Sequence, residues 1–368
     1  MSIKFLDIRA EYSEIRNEVL QAVDEVFKSG WLILGERVTT FEDAWAKYSG
    51  VAYGVGVNSG TDALFLALKA LDVGPGDEVI TVANTAIPTV SAIESTGAIT
   101  RFVDTDPDTY LMDPNKIESV IGPKTRCILP VHLYGQCANM DAIKAIAKTY
   151  EIPVLEDCAQ SHGAIQNGCK AGSMGAAGAF SFYPTKVLGA YGDAGMVLSA
   201  CSSLIEKIRR LRAYGISDTY FADEHGYNSR LDEIQAAILL VKLPFLSDWI
   251  KERQRLASVY LNYLSELPLG LPIVANGNQH VYYAFVVRHP KRAHFIKRLS
   301  AEGIQVNVTY PYPISLMAGY KHLGYKEGDL PETERACNEV FSLPLYPGLR
   351  AEDQEKICIA LKKITNDV

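Results

Sequence analysis

The sequence predicts an α/β fold, a mixed and mostly parallel sheet flanked by helices, with a smaller α+β C-terminal domain. Three observations predict it. Between residues 50 and 200, short apolar runs rich in β-formers alternate with amphipathic helical runs, the pattern of buried parallel strands joined by helices on both faces. The runs "GAFSFYP" and "GMVLSA" follow one another with only a glycine-rich turn between them, so part of the sheet is not parallel. Beyond residue 202 helical patterns dominate, with no internal repeat and no low-complexity linker. The expected division is residues 1–244, a large lobe with its N-terminal segment, and residues 245–368, a small lobe.

The elements follow in order. "YGVGVN" leads to a helix in "TDALFLALKAL", "DEVITV" to one in "TAIPTVSAIESTG", and "ITRFVD" to "PNKIESVIG". "RCILPVHLYG" precedes the helical "MDAIKAIAKTYE", and "IPVLEDCA" is a short apolar run ending on acids. "SLIEKIRRLRAYG" and "SRLDEIQAAILLVKL" are helices, the second broken at Pro244 and resumed as "FLSDWIKERQRLASVYLNYLSEL". The small lobe holds the strand-like "VYYAFVVR" and "IQVNV", a helix in "RAHFIKRLSAEG" and a terminal helix.

Composition narrows the function classes. A formal charge of −7 over 368 residues argues against a general nucleic-acid binder, which needs a basic face. Seven cysteines with no CxxC indicate neither a disulfide framework nor a metal site, and they read as reduced thiols of a cytoplasmic protein. The N-terminal stretch carries acids and no apolar h-region, unlike a signal peptide. No run approaches the roughly 18 apolar residues of a membrane helix.

In open α/β sheets, chemistry gathers where strands end, and three strand ends stand out. In "NSGTDALFLALKAL", Gly60 and Thr61 open a helix whose free amides make a phosphate site, although a capping box, Ser59 to Asp62, explains the same residues. In "VLEDCAQSHGA", Glu156 and Asp157 end an apolar strand, with Gln160 and His162 close behind. Such acids are costly when buried unless one meets a cation, and a protonated heteroaromatic nitrogen is one; helix capping by Asp157 and a satisfied core histidine at 162 are the plain alternatives. In "SFYPTKVLGAYGDAG", Lys186 sits among apolar residues and glycines, five residues after Ser181. A desolvated lysine there is a nucleophile towards an aldehyde; a surface turn is the plain alternative. No GxGxxG opens a helix after the first strand, so a nicotinamide or flavin fold has little support. A phosphate cradle, an acid for a ring nitrogen and a lysine are the three things pyridoxal 5'-phosphate needs.

"VNSGTDAL", "VHLYGQ", "EDCAQSHGA", "FSFYPTKVLGAYGDAG" and "GYNSRLDEIQAAIL" together resemble the nucleotide-sugar aminotransferases of the DegT group, over residues 4 to about 350. The resemblance implies the aspartate-aminotransferase (type I) fold and a homodimer with sites at the subunit interface. It implies Lys186 as the Schiff-base lysine, Asp157 as the partner of the pyridine nitrogen, and Gly60, Thr61 and Ser181 as phosphate ligands. Gln160 would lie against the cofactor ring, and Asn228 would reach the phosphate of the other subunit's cofactor, although Asn228 or Ser229 would also cap the following helix. Tyr183 would position the lysine or the sugar, or else be a core aromatic; Tyr310, His162 and Tyr312 are the substrate-side candidates.

Departures from the pattern are visible. Val187 stands where relatives often have Asn, "GAAGAFSF" lacks an acid often found there, and Tyr310 occupies the place of a histidine usual in enzymes that make 3-amino sugars. The implied reaction is a two-half transamination through the pyridoxamine form, from glutamate to a dTDP-linked 3-keto-6-deoxyhexose. A 4-keto or UDP-linked sugar is the alternative. A sugar dehydratase of this fold would carry histidine in place of Lys186, and a non-catalytic relative would not need Lys186, Asp157 and Thr61 together.

Overall fold

The computed structural model describes residues 2–367. Seven strands form the central sheet: β1 (Tyr53–Val57), β2 (Glu78–Val82), β3 (Ile99–Val103), β4 (Thr125–Ile128), β5 (Leu155–Asp157), β6 (Ala177–Ser181) and β7 (Gly195–Ser199). A four-stranded part, in the order β1-β7-β6-β5, and a three-stranded part, β3-β2-β4, are joined by parallel bridges Ile128–Val154 and Val131–Asp157. β7 is antiparallel to both its neighbours, and the other adjacent pairs run parallel. This is the mixed sheet the "GAFSFYP…GMVLSA" pairing predicts. Because β7 runs backwards, its first residue, Gly195, sits beside the last residues of β1 and β6, Val57 and Ser181.

The helices follow their predicted places, with informative exceptions. The helix expected from Ser229 starts at Glu233, with Asp232 at its N-cap, so neither Asn228 nor Ser229 caps it. Glu233 instead accepts hydrogen bonds from the amides of Gly35, Arg37 and Val38. It thereby serves the start of the Glu36–Ser49 helix, whose N-cap, Gly35, has no side chain to offer. Pro244 lies in a short 3₁₀ turn between Glu233–Lys242 and Leu246–Leu264. "IQVNV" is not a regular strand: Ile304 bridges Ile3 and Asn307 bridges Ser342.

Three large cores result, the third of them setting Phe41 and Trp45 against Phe180 and Phe182. The first packs β1–β7 against their covering helices. The second joins the Leu246–Leu264 and Ala351–Asn366 helices to the hairpin-like pair Phe285–Arg288 and Val340–Leu343. Ile3 belongs to this second core, so the chain's first residues pack with its C-terminal part. Each fully buried Leu, Ile or Phe contributes roughly 1.5–3 kcal/mol, which makes these cores firm platforms for the strand ends.

Candidate active site

One cavity of about 350 Å³ lies at the common end of β1, β5 and β6, lined by Ser59, Gly60, Thr61, Thr89, Asp157, Ser181, Tyr183 and Lys186. Six of the sequence-selected residues are thus brought together: Gly60, Thr61, Asp157, Ser181, Tyr183 and Lys186.

The phosphate cradle is the start of the Gly60–Ala70 helix. Ser59 caps it, its Oγ accepting from the Asp62 amide at 3.1 Å, so the capping reading is also true. The cap takes only one first-turn amide; those of Gly60 and Thr61 have no intrahelical acceptor and belong to the cavity lining. Gly60 is required there by contact, since a Cβ on it would meet the Ser181 Cβ at 2.5 Å. Helix start and strand end therefore touch, and the hydroxyl of Ser181 joins the amides on one concave wall.

Asp157 ends β5 and is 4% exposed. Its Oδ2 accepts from Thr89 Oγ1 at 2.8 Å and its Oδ1 from the Ala159 amide at 3.1 Å. Burial pushes its carboxyl above the ordinary range, and the two hydrogen bonds and the charge of Lys186 counter only part of that. A buried acid held by neutral donors alone suits a cationic ring nitrogen, which would supply the missing counter-charge.

Lys186 is half-buried, on a turn fixed by Lys186 N–H to the Tyr183 carbonyl at 2.9 Å and Phe182 N–H to the Ala194 carbonyl at 2.8 Å. Val187 and Leu188 are buried beneath it, so the backbone is anchored while the amine reaches into the cavity wall. Its Nζ stands 4.8 Å from the centre of the Tyr283 ring. Tyr183 is 50% exposed, which removes the core-aromatic alternative. The glycines at 189, 192 and 195 answer to the chain's own atoms. A Cβ at these positions would meet the Pro184 carbonyl at 2.6 Å, Gln235 Nε2 at 2.8 Å and the Ser59 carbonyl at 2.2 Å.

Several expectations are corrected. Glu156, beside Asp157, faces away and is saturated: its oxygens accept from the amides of Gly172, Met174 and Gly175 and from His132 Nε2, at 2.6 to 2.8 Å. His132 Nδ1 accepts from the Ala138 amide, so a neutral ring carries its one proton on Nε2. His162 does not face a substrate. It is fully buried, its ring among Trp45, Phe180 and Phe182, with neither nitrogen well hydrogen-bonded among the described residues and the Ser181 backbone as a polar neighbour. Burial, with Lys186 nearby, pushes its pKa down to about 3. Tyr312 is 67% exposed and lines a separate depression with Leu316 and Glu334.

Gln160 and Tyr310 are not among the residues lining the cavity and hold each other. Gln160 Nε2 donates to Tyr310 Oη at 2.9 Å, and its Oε1 accepts from the Tyr134 amide at 2.8 Å. Tyr134 Oη in turn donates to the Thr309 carbonyl. Burial above all, with Tyr283 and Asp157 nearby, pushes the Tyr310 hydroxyl far above its ordinary range, so it stays a neutral hydroxyl that accepts from Gln160. Asn228 is exposed, outside the cavity, its backbone bridging Ala213. Thr89 was missed because a threonine inside an apolar helix carries no chemical signal until the fold sets it against Asp157. No helix is long and apolar enough to cross a membrane among the described residues.

Residues fit for a phosphate, a ring nitrogen and a carbonyl thus share one cavity, and comparison with known proteins gives the same answer. Residues 13–362 match the model of the DegT/DnrJ/EryC1/StrS aminotransferase family. A dTDP-3-amino-3,4,6-trideoxy-alpha-D-glucose transaminase of Micromonospora megalomicea subsp. nigra is 47% identical, over 96% of each chain. A UDP-N-acetyl-3-dehydro-alpha-D-glucosamine 3-aminotransferase of Acidithiobacillus ferrooxidans is 42% identical over 98% of each. The crystal structure of DesV of S. venezuelae in complex with a ketimine intermediate superposes with a TM-score of 0.98 at 40% identity, covering 100% of this chain and 99% of that one. The chain belongs to the DegT/DnrJ/EryC1/StrS aminotransferase family and is a pyridoxal-phosphate-dependent transaminase of the type I fold.

Proposed function

We propose that the protein transfers an amino group from glutamate to a nucleotide-linked keto sugar, a dTDP-3-keto-6-deoxyhexose, in the cytoplasm as a homodimer with shared active sites. The observation that carries the reading is the convergence of Lys186, Asp157 and the Gly60–Ala70 helix start on one cavity. The dTDP-linked sugar is supported by the 47% identity with the Micromonospora enzyme. A UDP-linked acceptor is the second reading, favoured by the 42% identity with the Acidithiobacillus enzyme.

Bound pyridoxal phosphate supplies an electron sink for negative charge developing at the reacting carbon. The chain's residues do the rest. The amides of Gly60 and Thr61 and the hydroxyl of Ser181 hold the phosphate, and Asp157 keeps the ring nitrogen protonated. Lys186 Nζ takes a proton from the donor α-carbon in the first half-reaction and gives one to the sugar carbon in the second. Tyr183, half-exposed on the rim, orients the lysine or the incoming sugar. Tyr310 holds Gln160 against the ring side of the site. Asn228, exposed and free of a capping role, serves the partner subunit's site.

Incubation with pyridoxal phosphate tests the cofactor reading. An absorbance band above about 400 nm is expected in the wild type and not in Lys186→Ala. A band surviving that substitution would overturn the role of Lys186.

A further inference from the structure

Beside the Lys186 turn lies a second cavity, of about 410 Å³, lined among others by Thr185, Arg253, Tyr283, Gln305 and Asn307. It adjoins the reacting amine. Thr185 is the neighbour of Lys186, and Tyr283, on this lining, carries the ring that Lys186 Nζ overhangs at 4.8 Å. N-terminal residues Phe5, Leu6 and Ile8 close one side.

Arg253 is 5% exposed and is the only Lys or Arg on the described lining, which contains no Asp or Glu. Its Nη1 donates to the carbonyls of Tyr282 and Leu345, at 3.2 and 3.0 Å, and its Nε has no partner among the described residues. Glu11, a carboxylate that acts on it, is itself ion-paired with Lys242. Burial lowers the pKa of Arg253 only to about 10, so at neutral pH the guanidinium is charged. A buried charge without a counter-ion is costly, and a carboxylate suits the planar fork of arginine. The neighbouring polar groups, Thr185, Gln305 and Asn307, are neutral, which suits a small amino dicarboxylate. A nucleoside diphosphate presents two phosphates and calls for more than one cation.

We propose that Arg253 and the cavity around it hold a carboxylate of the amino donor, placing the donor's amine against Lys186; this rests on the transaminase reading above.

The test separates the half-reactions of the pyridoxal-phosphate-loaded enzyme. In Arg253→Met, the glutamate concentration giving half-maximal loss of the long-wavelength band is expected to rise about 10- to 100-fold. Arg253→Lys should restore part of the loss. The keto-sugar half-reaction, started from the amine-loaded enzyme, should keep its half-saturation within about twofold. If Arg253→Met does not fold, Asn307→Asp replaces it: a carboxylate set into the same cavity should weaken glutamate alone. Unchanged glutamate dependence in a folded variant would overturn the proposal, leaving Arg253 a strut between the Tyr282 and Leu345 carbonyls. A rise for the nucleotide sugar instead would assign the site to phosphate and also overturn it. A wild type with no band and no turnover with any donor would sink the transaminase reading itself, a distinguishable failure.

Discussion

Replacing Asp157 by Asn separates the fold from the chemistry. The amide oxygen keeps the hydrogen bond from Ala159, and the amide nitrogen then faces Thr89. That hydroxyl can turn to accept, because Thr85 Oγ1 lies 2.9 Å behind it and either atom of the pair can donate. The polar chain therefore reverses without leaving a buried group unsatisfied, and the structural cost is on the order of 1 kcal/mol. The lost charge costs more, since removing one partner of a buried ion pair costs about 3–5 kcal/mol, or roughly two to almost four orders of magnitude in rate. The cofactor-free protein should respond with the opposite sign. Asp157 has a raised folded pKa, so its contribution to stability is present below the unfolded value and is lost as pH rises through the folded one. An ionised carboxylate at this buried position is a burden until a cation joins it. Cofactor-free Asp157→Asn should therefore melt at or above the wild type, while pyridoxal phosphate raises the wild type's melting temperature by more. Stopped-flow measurement of the glutamate half-reaction, with melts in both states, checks both arms. Turnover within about threefold of wild type would refute the role of Asp157 at the ring nitrogen.

Three further expectations follow from the same geometry. Gly60→Ala drives a Cβ to 2.5 Å from that of Ser181, an overpacking of about 1–3 kcal/mol at the cradle; pyridoxal phosphate titration should show affinity reduced about tenfold, and unchanged affinity would contradict the cradle. Glu156→Gln sets an amide nitrogen against two of four donors, costing about 3–5 kcal/mol in urea unfolding; a loss under 1 kcal/mol would mean that Glu156 is not the anchor described. His162→Phe should keep activity and flatten acid sensitivity, because the native ring stays neutral to about pH 3 while the unfolded one protonates below its ordinary value near 6.5. That group makes stability fall with pH across the window by up to about 1.4 kcal/mol per unit. Equal slopes in the two proteins would contradict the buried, neutral assignment.

What was legible in the sequence is what a strand end dictates locally. Lys186, Asp157, Gly60, Thr61 and Ser181 each stand at or just beyond such an end, and parallel packing brings those ends together. Contacts made by distant segments were not legible. Glu156 reads as a possible acid until the 172–175 turn folds over it, and His162 as a substrate-side candidate until Trp45 packs on its ring. The sequence does not show what requires the glycines after Lys186: atoms of Ser59, Pro184 and Gln235. The Gln160–Tyr310 bond spans 150 residues of sequence, and Arg253 carries no local mark of its cavity.

The central claim is the transfer of an amino group to a nucleotide-linked keto sugar. Offering the pyridoxal-phosphate-loaded protein glutamate with a panel of dTDP- and UDP-linked 3-keto and 4-keto hexoses, and identifying products by mass and NMR, tests it most directly. The expected result is a new amine at C3 of the dTDP-linked 6-deoxyhexose, dependent on Lys186. Consumption of glutamate with no aminated sugar from any member of the panel would contradict it.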